Sequence, residues 1–139
     1  METILAEILK FIGTSAVGGL TWDIMKKTSG QLLETFKRRF SAEKYFQNED
    51  QAEEFLQKIS TKESLYKRRP FEDAWAVYDS CTGLEATDSF KADFEKWIRE
   101  AGPNIVHSAE TFHSINGMVI HEQINKDNAT VINIGNRYN

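Results

Sequence analysis

Three histidines, one cysteine and a scatter of glycines are the residues of this 139-residue chain whose types invite a chemical role. His107, His113 and His121 would serve as metal ligands if the fold gathered them. Their spacings of six and eight residues match no pattern that brings two imidazoles onto one helix turn. Cys81 would be a nucleophile only as a thiolate, and no basic residue stands near it in sequence to favour that form. As the single cysteine it also excludes an intrachain disulfide and a CxxC metal pair. Gly13, Gly18 and Gly19 would need a preceding strand and a P-loop lysine to cradle phosphate, and neither is there. The acidic residues are numerous but fall on the polar faces of helices. These residues point to a protein that is not an enzyme and needs no metal or cofactor.

The composition narrows the class further. A net charge of −4 argues against a dedicated nucleic-acid binder, which would carry a basic surface. Glu2 and Glu7 occupy the region that would be basic in a secretory signal. No apolar run approaches the roughly 18 residues of a constitutive membrane span. A cytoplasmic resting location is therefore expected. With 40% hydrophobic residues and two prolines, the chain suits one modest core rather than several domains.

The elements that must position any site read as helices over most of the chain. Ile4, Leu5, Ile8, Leu9 and Ile12 follow amphipathic spacing, and no charge occurs from Phe11 to Trp22. Residues 1–27 are expected to form a helix bent at Gly18-Gly19 and buried at rest. Phe11, Ile12, Val17, Leu20 and Trp22 mark its uncharged part as a segment able to enter a bilayer interface. A second helix is expected over residues 29–46, with Leu32, Leu33, Phe36 and Phe40 inward, and either Ser29 as its N-cap or Gly30 as a kink joining it to the first. Its triplet Lys37, Arg38 and Arg39 reads as a solvated face or as contacts to anionic lipid.

A third helix starts at the cap Asn48 and buries Phe55, Leu56 and Ile59. Lys67-Arg68-Arg69-Pro70 follows, with Leu65 and Tyr66 before it. Pro70 opens a fourth helix that Gly83 stops. A fifth begins at Thr87 or Asp88, carries Phe90, Phe94, Trp97 and Ile98, and is expected to end at Gly102-Pro103. Residues 105–112 read as a short sixth helix or a linker. The fold class is thus mainly α: a bundle of about five helices over residues 1–110, followed by a C-terminal β-hairpin or flexible β-prone tail over residues 111–139.

That tail contains Val131, Ile132, Asn133, Ile134, Gly135 and Asn136. β-Branched residues, recurring asparagines and the absence of charge favour a strand that can stack in register with copies of itself. The hairpin would pair residues 118–124 with residues 130–136 across the turn chemistry of Asn125-Lys126-Asp127-Asn128. Ile132-Asn133-Ile134-Gly135 resembles the core of the RIP homotypic interaction motif and its fungal and bacterial relatives. Asparagine stands at 133 where the animal motif usually has glutamine, and the asparagine-rich flanks are closer to the bacterial amyloid signalling motifs.

A helical chain ending in such a motif resembles bacterial cell-death executors with a Bell-type domain, analogous to the fungal HeLo domain. The resemblance implies an effector activated by amyloid templating from a receptor with a similar motif, assembling into an oligomer or fibril through its tail. Its N-terminal segment would then permeabilise the inner face of the cell membrane. The alternative is a non-toxic interaction module whose hairpin adds a strand to a partner.

Overall fold

Six helices account for most of the chain in the computed structural model, which describes residues 2–14, 20–66 and 68–122. They are α1 (Ile4–Phe11), α2 (Trp22–Thr28), α3 (Gly30–Ala42), α4 (Glu49–Thr61), α5 (Pro70–Thr82) and α6 (Asp88–Glu122). No strand occurs among the described residues; an isolated antiparallel bridge joins Thr3 to Glu63. Contacts divide the chain into two compact units, Met1–Ala109 and Glu110–Asn139. The first is a helical bundle. Of the second, the described part is the run of α6 to Glu122.

Local chemistry sets most of the helix ends, at Asn48, Pro70, Gly83 and Thr87 where the sequence places them and at Thr21 where a continuous helix is expected instead. Asn48 accepts from the Gln51 amide at 2.8 Å, Thr21 from Ile24 at 3.2 Å and Thr87 from Phe90 at 3.1 Å; each satisfies an amide with no partner inside the helix. Pro70 occupies the first turn of α5, and Gly83 ends it in the left-handed conformation at φ 73°. Only Ser29 separates α2 from α3, in keeping with a kink at Gly30.

Three expected boundaries are wrong: α3 ends at Ala42 rather than reaching Phe46, because Lys44 turns the chain into the left-handed region at φ 65°, and the other two lie in the first and last helices. The N-terminal helix does not continue to a bend at Gly18-Gly19: α1 stops at Phe11. The Gly13 amide bonds Lys10 O at 3.1 Å and the Thr14 amide bonds Leu9 O at 3.0 Å, with Gly13 at φ 98°. This is a Schellman cap, whose left-handed position glycine fills without steric cost.

At the other end of the bundle, Gly102-Pro103 does not terminate a helix, because α6 runs through both residues. Proline inside a helix costs about 3 kcal/mol. Just beyond it Ile105, Val106 and Ala109 are all buried, and each large apolar side chain removed from water returns about 1.5–3 kcal/mol. Packing outweighs the local preference, so the fifth helix and the residues 105–112 segment belong to one helix, α6. Residues 118–122, the start of the expected hairpin's first arm, belong to α6; the rest of the hairpin lies outside the described residues.

The core is aromatic. Phe36, Phe40, Phe55, Phe90 and Phe94 are fully buried. Phe36 stacks on Phe40 with ring centres 4.2 Å apart, Tyr78 on Phe90 at 4.1 Å, and Phe55 meets Phe94 edge-on at 5.5 Å. Such pairs add about 0.5–1.5 kcal/mol beyond the area they bury. They tie α3, α4, α5 and α6 together. A polar tie joins the loop after α3 to α5 and α6: Tyr45 donates to Asp93 at 2.5 Å, and Tyr78 donates to the Tyr45 carbonyl at 2.6 Å.

Candidate functional site

The expected membrane-active segment is, at its start, core. Ile4, Leu5, Ile8 and Leu9 are each at most 3% exposed, on the face of α1 that meets α4 and α5. Backbone bonds hold its entry, from Ile4 N to Lys62 O at 2.9 Å and from Ser64 N to Glu2 O at 3.0 Å. Gly102 of α6 completes the seat. A methyl group there would lie 3.0 Å from both Leu9 Cδ2 and Ile12 Cδ1, so the missing side chain is what lets α1 lie this close. Leu20 and Ile12 pack partly buried on the core and Trp22 is buried. Phe11 is 56% exposed but meets the ring of Phe71 edge-on at 5.8 Å. Val17 lies outside the described residues.

An eight-residue helix rises about 12 Å, well short of a hydrocarbon core of about 30 Å. No described helix is long and apolar enough to cross a membrane.

The basic triplet does not form one patch, since consecutive helix residues point about 100° apart. Lys37 bonds Glu34 at 2.9 Å and Glu53 at 3.0 Å, with its side chain 13% exposed. Those two bonds hold its ammonium above the usual lysine range, Glu34 contributing most; it fastens α3 to α4. Arg39 lies over the Phe40 ring and 3.7 Å from Asp93. Arg38 is exposed to solvent. The tail residues Val131, Ile132, Asn133, Ile134, Gly135 and Asn136 lie outside the described residues.

The side chains of His113 and His121 lie outside the described residues. His107 is exposed on α6, and no described cluster of histidine, cysteine and acidic residues could hold a metal. Burial pushes the Cys81 thiol up from its ordinary value, with Lys58 pulling the other way.

A feature whose geometry no local sequence signal marks is the loop between α4 and α5. Asp73, 3% exposed, accepts from Ser64 Oγ at 2.6 Å, from Leu65 N at 3.2 Å and from Tyr66 N at 3.1 Å. In sequence it resembles any acid in a helix's first turn. With its backbone held this way, the loop leaves Leu65 79% and Tyr66 50% exposed. Arg68 and Arg69 follow, also exposed, with the Arg69 guanidinium 5.9 Å from the Tyr66 ring centre. The pattern visible in sequence is the adjacency of Leu65-Tyr66 to a basic run.

No protein-family model, no curated protein and no solved structure matches this chain.

Proposed function

We propose that the protein is a cell-death effector of bacterial immunity, activated when a receptor bearing a similar motif templates its tail and acting on the inner face of the cell membrane. The observation that carries this reading is the order of parts: a helical unit with a buried, amphipathic first helix, then an uncharged β-prone segment at residues 130–136. At rest the four buried aliphatic residues of α1 oppose its release by about 6–12 kcal/mol. That is comparable to the whole stability of a domain, about 5–15 kcal/mol. A lone monomer should therefore leave lipid intact. Stacked tails would hold many bundles at high local concentration, and each copy that opened would add apolar area to one shared insertion.

Dye release from anionic vesicles tests this, comparing freshly purified monomer with protein whose tails have assembled. Release is expected only from the assembled form. Val17→Arg should suppress it, since an arginine at mid-membrane costs about 2.5–3.5 kcal/mol per copy on insertion scales. Assembly without release, or undiminished release from Val17→Arg, refutes the reading. Assembly without damage to lipid would instead favour the strand-adding interaction module.

A further inference from the structure

We infer that Leu65, Tyr66, Arg68 and Arg69, in the loop between α4 and α5, form a docking site for an anionic lipid surface, and that it acts in the folded monomer before any helix is released. Leu65 is the most exposed large apolar side chain among the described residues, and Tyr66 beside it is half exposed. Ordinary surface mobility does not account for them. The buried Asp73 carboxylate holds the backbone of both residues, and the Ser64 hydroxyl as well. A loop fixed with its apolar side chains outward is fixed for contact.

Charge identifies the occupant. The chain carries −4 overall, yet residues 61–69 hold four basic residues against the single acid Glu63. Lys62, Arg68 and Arg69 are exposed, and guanidinium groups pair with phosphate through two parallel hydrogen bonds. Leucine and tyrosine suit the headgroup layer, where tyrosine buries its ring and keeps its hydroxyl wet. One apolar anchor or one basic patch alone binds membranes only marginally, while the two together hold. The groove beside the loop is mixed in sign, with Glu72, Asp79 and Glu85 opposite Arg69 and Lys91, so the contact is confined to the loop tip. This inference does not need the tail to assemble.

The test is sedimentation of the full-length monomer with vesicles of phosphatidylcholine alone or mixed with phosphatidylserine. Wild type should pellet with the mixed vesicles, less so as salt rises, and stay in solution with phosphatidylcholine alone. Arg68→Gln with Arg69→Gln should weaken partitioning about 30-fold, or about fivefold per charge. Leu65→Ser should weaken it about tenfold. All three positions are exposed, and circular dichroism checks that each variant remains folded. Wild type that stays in solution with the mixed vesicles overturns the inference, as does binding that survives these changes or that depends on Arg38 instead. Monomer that pellets with the mixed vesicles, from a protein whose assembled form releases no dye, would leave this inference standing while refuting the effector reading; dye release by the assembled form of a protein whose monomer does not pellet would do the reverse.

Discussion

Replacing Asp73 should be among the most damaging single changes on the polar side of the bundle. Its Oδ2 accepts from both Ser64 Oγ and Tyr66 N, and its Oδ1 accepts from Leu65 N. Hydrogen bonds to a charged group contribute about 1.5–3 kcal/mol each. Ser64 is 2% exposed and has no water to turn to, whereas the two amides are only partly buried and recover some hydration. Asp73→Ala should therefore destabilise the protein by about 3–4 kcal/mol.

Asp73→Asn is the sharper probe. An amide offers one oxygen and one NH2 group, so whichever way it turns, the NH2 opposes a backbone N–H. That leaves about 1–3 kcal/mol unmet. Urea unfolding followed by circular dichroism measures both, and the alanine variant's midpoint should fall by about 2 M. A loss below about 0.5 kcal/mol for alanine, the range of ordinary surface changes, would show that Asp73 does not hold this loop.

Three further outcomes are expected. Lys44 closes the end of α3 at φ 65°, bonding Ser41 O at 2.9 Å while Tyr45 N bonds Phe40 O at 3.1 Å; Lys44→Gly should raise stability by about 1 kcal/mol in the same urea assay, because glycine meets no Cβ clash there. Gly102→Val should push α1 off α6, costing about 1–3 kcal/mol through overpacking and speeding amide hydrogen exchange in residues 4–11 ahead of the aromatic core. Tyr45 has its hydroxyl pushed up to about 12, first by the hydrogen bond to Asp93 and then by burial, and burial raises Tyr78 as well. The folded state holds these protons more tightly than the unfolded chain. Their contribution is thus fully present below about pH 10 and is lost as pH rises toward about 12. Melting temperature should fall across that window, and less steeply in Tyr45→Phe.

What the sequence determined by itself was mostly what neighbours within a few residues set. Asn48, Pro70 and Gly83 mark helix ends because caps and left-handed turns are local chemistry. The spacing of Phe55, Leu56, Ile59, Phe90, Phe94 and Ile98 reveals buried faces because a helix repeats every 3.6 residues. The tertiary structure decided what depends on partners far along the chain. Pro103 sits inside α6 because Ile105, Val106 and Ala109 find a core there, and local preference cannot register a core. Gly13 is the local exception: its cap uses only Leu9 and Lys10, yet the apolar pattern alone carries the helix past it, since spacing records which face is buried and not where the chain turns. Lys37 proved to be a tie rather than a free charge because Glu53, on another helix, lies 3.0 Å away. Asp73, nine residues from Ser64, became the anchor of an exposed loop for the same reason: a carboxylate's role follows from the donors the fold brings to it.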